Sequence, residues 1–308
     1  MTVLDTSSGP ALLRPVVPRR TVKAQSLAQT FQRWVLGFLW ALKPPRLYGV
    51  PATLAMLAKY YAGFGLRPGE LPDPDRALRY PDGLAGICAE LNVPILRAAY
   101  AKGLFPFAHI GPQKWWAPRE RMALFFTDFR IEKNLRRRIR QNEFRVTFDQ
   151  DFHAVMRACA EPRPGRPHLT WIRPDIIDAY TRAFAAGLAH SVEVWDRDGN
   201  LAGGAYGIAL GRVFFTESQF ARQRDASKAG FRVLNCHLQR WGFVLNDGKH
   251  RTGYLDQLGF KLIPRSRFNS LLEMNCNLPV HPGPWVVDHT IDVSQWSPEK
   301  AQASLGAN

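Results

Sequence analysis

The densest group of chemistry-bearing side chains in this 308-residue sequence is cationic: Lys133, Arg136, Arg137, Arg138 and Arg140. Residues 130–141 have helical spacing, with Leu135 and Ile139 turned inward and the arginines fanned outward. Such a face either lies in solvent or neutralises phosphates. Arg145 and the nearby pair Trp115-Trp116 favour the second use, since cations hold a nucleic-acid backbone while ring faces stack on its bases.

Metal and thiol chemistry find little support. Cys88, Cys159, Cys236 and Cys276 lie far apart with no CxxC pair, and the eight histidines show no ligand spacing. Neither a metal nor a cofactor is therefore expected. The start of the sequence lacks the pattern of a secretory signal, so free thiols in a reducing cytoplasm are the expectation. The first 35 residues, with Arg14, Arg19, Arg20, Lys23 and Arg33 against Asp5 alone, do have a transit-peptide-like composition.

Forty-one basic residues against 26 acidic give a net charge of +15, which points to a polyanion or an anionic surface. The excess is uneven: residues 1–50 carry 7 basic and 1 acidic, 51–96 carry 4 and 5, 97–148 carry 12 and 4, and 149–308 carry 18 and 16. One part suits a polyanion and the other suits local chemistry. With 46% apolar residues the chain can bury a core, while its longest apolar run, residues 34–42, is under half the ~20 residues a membrane-spanning helix needs.

The elements that must position these groups fall into four stretches. Residues 1–45 read as a basic arm with one amphipathic helix over 26–42, ended by Lys43-Pro44-Pro45. Residues 46–148 read as a smaller α+β domain, with helices over 51–61 and 86–103 and then short strands punctuated by Pro and Gly. Residues 149–275 run helix, three-strand meander (190–195, 201–209, 213–217), helix, strand near 243–245, short helix, last strand, and 276–308 form a tail. This order resembles a GNAT-like acyltransferase domain with a mixed sheet, so the fold class expected is α+β.

Eight short motifs then occur in order: Gly103-Leu104-Phe105-Pro106, Trp115-Trp116-Ala117-Pro118, Thr170-Trp171-Ile172, His190-Ser191-Val192-Glu193-Val194-Trp195, Gly203-Gly204-Ala205-Tyr206-Gly207, Glu217-Ser218, Ala226-Ser227-Lys228 and Ile263-Pro264-Arg265. With them, from about residue 100 to 272, the sequence resembles the leucyl/phenylalanyl-tRNA–protein transferases. Those enzymes move an amino acid from charged tRNA to the N-terminal Arg or Lys of a protein, tagging it for degradation. The resemblance implies that Phe107, where the family usually has Trp, and Trp171 receive the 3′-terminal adenine. It also implies that Glu217 and Ser218 flank the aminoacyl pocket with Gln219 and Thr252, and that 46–148, with its basic cluster, contacts tRNA.

Departures from the family pattern are informative. Its Asp-Cys-Gln turn is Asp247-Gly248-Lys249 here, so the expected catalytic pair is Asp247 and Lys249, and the carbonyl of the glutamine relay is gone. A lysine there either opposes the incoming amine, pairs with Asp247 or grips a phosphate. Gln219 replaces a pocket Met and Thr216 a Gly, which favours a smaller or more polar aminoacyl group. Two other functions stay open. A non-catalytic homologue would bind aminoacyl-tRNA without transfer, and an acyl-CoA N-acyltransferase would need a glycine loop where Arg224-Asp225-Ala226-Ser227-Lys228-Ala229 stands. Charge reversal at Arg136, Arg137 and Arg140 is expected to weaken tRNA binding and flatten the slope of log affinity against log salt; an unchanged slope assigns the cluster to solvent.

Overall fold

The computed structural model describes residues 27–42, 46–129, 143–162, 169–279 and 285–296, so Lys133, Arg136, Arg137, Arg138 and Arg140 lie outside the described residues. Helix α1 (Leu27–Ala41) precedes α2 (Val50–Lys59), which widens into a turn over Tyr60–Phe64. Next come β1 (Leu84–Ile87) and α3 (Val93–Ala101). The helix expected over 86–103 is thus shorter: Gly86 and Ile87 belong to a strand, and the Asn92 side chain starts the helix by accepting from Ile95 N at 2.9 Å. Strands β2 (Phe105–Pro106) and β3 (Lys114–Trp116) join β1 in a small antiparallel sheet of order β1-β3-β2. It buries Trp115 against Cys88, Ile95, Ala99 and Leu104, so this tryptophan is a core residue.

The remaining strands are β4 (Glu120–Phe125), β5 (Arg145–Phe148), β6 (Ala189–Trp195), β7 (Leu201–Leu210), β8 (Val213–Ala221), β9 (Leu245–Lys249) and β10 (Lys261–Pro264). They form one seven-stranded mixed sheet in the order β10-β4-β9-β8-β7-β6-β5. Strands 190–195 and 213–217 therefore share a sheet. Two of its members, β4 and β5, come from before residue 149, so the sheet runs across that expected boundary. Among the described residues only β8 and β9 are parallel neighbours, and such a pair needs a crossover, which α6 (Ala226–Arg240) supplies. The ninth strand starts at Leu245 rather than Phe243, because Trp241-Gly242 turns the chain first and Phe243 N closes that turn onto Leu238 O.

Side chains alternate across the sheet. Ala123 and Phe215 face a core built with α3, α4 (Phe152–Ala160) and α5 (Pro174–Ala185). Met122, Leu124 and Phe214 face the opposite core, under α6 and α7 (Gly253–Leu258). Each fully buried phenylalanine contributes about 1.5–3 kcal/mol of apolar transfer. Residues 285–296 cover that second face: Arg232, wholly buried, donates from Nε to Val293 O at 2.6 Å, and the Trp285 ring stacks on His190 at 3.8 Å. Helix α8 (Arg265–Asn275) closes the order.

Gly211, in the β7–β8 turn, has φ 52°, and a Cβ there would lie 2.3 Å from Asn275 O. Gly211→Ala is expected to cost about 2 kcal/mol or more, through the left-handed backbone and the clash together. Urea denaturation followed by tryptophan fluorescence measures it, with Gly199→Ala, whose Cβ meets nothing within 4 Å, as the comparison for backbone alone.

Candidate functional site

β4 lies between β9 and β10, with Ala123 opposite Asp247. This placement brings the Arg121 guanidinium onto the Asp247 carboxylate, Nε to Oδ1 at 3.0 Å and Nη2 to Oδ2 at 2.8 Å. Its remaining nitrogen, Nη1, donates to Gly103 O at 2.6 Å, and the Phe105 and Phe268 rings lie over it at 4.8 and 4.6 Å. Both charged side chains are sealed, at 1% and 0% exposure. Asp247 sits within β9 and faces no cleft, because the arginine lies against its carboxylate. Burial pushes the Asp247 carboxyl up, but the Arg121 charge and hydrogen bonds more than offset this and hold it below the ordinary carboxylate range.

Two residues further along the parallel pair, Glu217 on β8 stands beside Lys249 on β9. Lys249 Nζ donates to Glu217 Oε1 and to Thr216 O, both at 2.7 Å, while its backbone N–H goes to Asp247 Oδ1 at 3.0 Å. Of the roles open to Lys249, the ammonium thus pairs with Glu217 and only the amide serves Asp247. Lys249 has φ 61°, an uncommon backbone for a side-chain-bearing residue, at the point where β9 ends. Glu217 is no solvated edge residue, since its side chain is 1% exposed.

Two tyrosines complete the cluster. Tyr100 on α3 donates to Glu217 Oε1 at 2.5 Å and lies 2.5 Å from the hydroxyl of Tyr180 on α5. Burial first, and then the Glu217 charge, raise both phenols well above their ordinary pKa, so both remain donors. Glu217 Oε1 therefore takes a cation and a phenol, whereas Oε2 is buried with no hydrogen-bond partner among the described residues.

The aromatic pair assembles nearby. The Phe107 and Trp171 rings lie 5.7 Å apart at 39°, Trp116 Nε1 fixes the Phe107 carbonyl at 2.8 Å, and the Trp171 ring meets the Tyr180 ring at 6.5 Å. Tyr180 thus links the aromatic pair to the Glu217 cluster. Ser218 and Gln219 follow Glu217 on β8, half-buried, opposite Tyr206 and Ala205. Thr252 is apart from them: it is exposed, and its hydroxyl caps α7 by accepting from Leu255 N at 3.2 Å. Sequence reasoning missed Arg121, Tyr100 and the hydroxyl of Tyr180. An arginine at the head of the apolar run Met122-Ala123-Leu124-Phe125 was the available signal for the first. Among the described residues no group of His, Cys, Asp and Glu could hold a metal ion.

A family model described as leucyl/phenylalanyl-tRNA protein transferase matches residues 123–273, which span Glu217, Asp247 and Lys249. The match places the chain among the aminoacyltransferases. Proteins named leucyl/phenylalanyl-tRNA–protein transferase are similar over most of their length: that of Aromatoleum aromaticum is 45% identical over 228 residues, 73% of this chain and 95% of the relative. Those of Azotobacter vinelandii (44% identical; 68% of this chain, 92% of the relative) and Thiobacillus denitrificans (44%; 70% and 95%) agree. This chain belongs to the leucyl/phenylalanyl-tRNA–protein transferase family.

Arg121→Met leaves Asp247 buried and unpaired, at an expected cost of about 3–5 kcal/mol, and Asp247→Asn added to it should recover part of that loss. The pH dependence gives an independent reading. In the wild type the depressed carboxyl contributes stability that is present above an unfolded pKa of about 3.9 and lost as pH falls through the folded value. In Arg121→Met the unpaired carboxyl is raised instead, so stability should increase on mild acidification; parallel urea midpoints for the two proteins across that range would contradict this account.

Proposed function

We propose that this chain uses the Glu217–Lys249–Tyr100 cluster and the Phe107–Trp171 pair to move a leucyl- or phenylalanyl-like group from aminoacyl-tRNA to the N-terminal Arg or Lys of an acceptor protein in the cytoplasm. Transfer from charged tRNA to protein N-termini is the activity of its family, and 44–45% identity to these relatives supports it. The observation that carries the site assignment is the buried, undonated Glu217 Oε2 beside an oxygen already held by Lys249 and Tyr100. A buried carboxylate oxygen without a donor costs free energy, and a donor on the bound aminoacyl group restores the balance.

In this reading Phe107 and Trp171 stack the terminal adenine, and Glu217 Oε2 accepts from the α-ammonium of the esterified amino acid. The acceptor's terminal amine attacks the ester carbonyl: the C–N bond forms, the C–O bond to the ribose breaks, and the nitrogen's proton ends on the released oxygen, relayed by the ribose hydroxyl. The ester is already activated, so orientation supplies much of the rate. Lys249 in place of the family glutamine then acts as a positioning residue that fixes Glu217. Ser218 and Gln219 flank the aminoacyl group beside Glu217, Thr252 holds the start of α7, and Asp247, held by Arg121, anchors the strand that presents Lys249.

The GNAT-like reading of 149–275 is supported by the meander β6–β8 and the β8–α6–β9 crossover. The basic cluster of 46–148 is given to tRNA, while the same stretch lends Tyr100 and Arg121 to the transfer site and β4 and β5 to the large sheet. Against an acyl-CoA donor, the turn before α6 carries Asp225 at φ 64°, with Arg224 and Lys228 each 3.7 Å from its carboxylate. A carboxylate there repels a pyrophosphate.

Transfer assays with Leu-, Phe- and polar aminoacyl-tRNAs and an N-terminal-Arg peptide test the assignment. Lys249→Gln should lower kcat about tenfold to a hundredfold by releasing Glu217, while tRNA binding stays within about twofold. Gln219→Met should shift preference toward Leu and Phe by about tenfold, since it removes an amide that an apolar side chain cannot satisfy. If neither wild type nor variants transfer any amino acid while tRNA still binds, the non-catalytic reading replaces this one.

A further inference from the structure

Helix α1 presents its apolar side outward. Phe31, Trp34, Val35, Phe38, Leu39 and the following Leu42 recur at the spacing of one helical stripe, and all are between 41% and 72% exposed. The side facing the protein is a different one: Gly37 is buried, and a Cβ on it would lie 2.5 Å from Ile110 Cγ2. The stripe is thus not a core face waiting to turn in. The next helix continues the theme, since α2 has no buried residue and exposes Leu54, with Tyr48 before it and Tyr61 and Phe64 after it. An exposed apolar stripe of this length marks a contact site.

Charge decides the occupant. Between Asp5 and Glu70 the sequence holds nine Lys and Arg and no acidic residue. A second copy of the chain would bring the same cations against their like, with no carboxylate to pair them. An RNA would accept the cations but gains nothing from Val35, Leu39 and Leu42, which have neither ring faces nor hydrogen-bonding groups. A bilayer with anionic headgroups satisfies both: the aromatic and aliphatic stripe enters the boundary between headgroups and acyl chains while Lys and Arg meet the headgroup charge. Among the described residues no helix is long and apolar enough to cross a membrane, so the contact lies in the interface plane.

We propose that α1 seats this transferase on an anionic lipid surface through the stripe Phe31, Trp34, Val35, Phe38, Leu39 and Leu42. Neither an apolar stripe nor a basic segment alone holds a protein firmly at a bilayer, and here the two occur together. None of these residues belongs to the Glu217 cluster or the aromatic pair, so solution transfer is independent of the attachment.

The test is co-sedimentation of the full-length protein with phosphatidylcholine vesicles and with equimolar phosphatidylcholine/phosphatidylglycerol vesicles. Wild type should partition onto the anionic vesicles and not the neutral ones, and release as salt rises to about 0.5 M. Trp34→Glu/Phe38→Glu, and separately Val35→Glu/Leu39→Glu, should weaken partitioning about tenfold or more, with Tm and solution transfer unchanged. Equal vesicle binding by wild type and both double variants would overturn the proposal, as would failure of wild type to bind anionic vesicles. So would a wild-type dimer in sedimentation velocity that both variants dissolve, which assigns the stripe to a second copy. A tRNA affinity that falls in both variants while vesicle binding persists would overturn it in favour of RNA.

Discussion

The ion pair between Arg121 and Asp247 ties together two strands that lie more than a hundred residues apart in the sequence. Strand β4 is apolar from Met122 to Phe125, and a two-residue slip would leave each of these side chains on the same face of the sheet. The guanidinium removes that freedom, because only one register gives it the carboxylate, the Gly103 carbonyl and the rings of Phe105 and Phe268 together. Gly103 supports this by adopting φ 74° where a Cβ would lie 2.8 Å from Asn269 Oδ1. A slipped register would leave both charges buried and unpaired, which costs far more than the pair itself contributes to stability.

With β4 fixed, β9 is fixed, and with β9 the position of Lys249. The lysine and Glu217 meet because β8 and β9 run parallel and in step, so equal advance along both strands keeps their side chains adjacent. Two polar systems thus share one strand: a closed one, in which every Asp247 oxygen has a donor, and an open one, in which Glu217 has an oxygen to spare. The closed pair provides rigidity, and the open pair lies next to the rings of Tyr100 and Phe105, about 5.7 and 5.6 Å from the ammonium. Low local dielectric strengthens both.

Much of the C-terminal half was legible because its signals are local. Pro174 and Gly187 bracket α5, Asp198-Gly199-Asn200 turns β6 into β7, and alternation marks the strands between. The family motifs then pointed to Glu217, Asp247 and Lys249 as positions. What stayed hidden depended on contacts remote in sequence. Arg121 gave no sign that its partner lay on a strand formed far downstream, and nothing local marked Tyr100 and Tyr180, which meet only where α3 and α5 come together. Thr252 shows the opposite error: a residue placed in the pocket by alignment position is occupied capping a helix.

The position of β4 in the sheet also sets a schedule. A ribosome releases residues 120–125 well before 245–249 and 261–264, the two strands that must flank them. At ordinary synthesis rates the interval is on the order of ten seconds, during which Met122 and Leu124 have no sheet to join and Arg121 no counter-ion. The large sheet can close only after nearly the whole catalytic half has emerged, which makes it a late, non-local step in folding. An enzyme built this way has no active half-made form, and its nascent chain depends on being kept from aggregation until the downstream strands arrive.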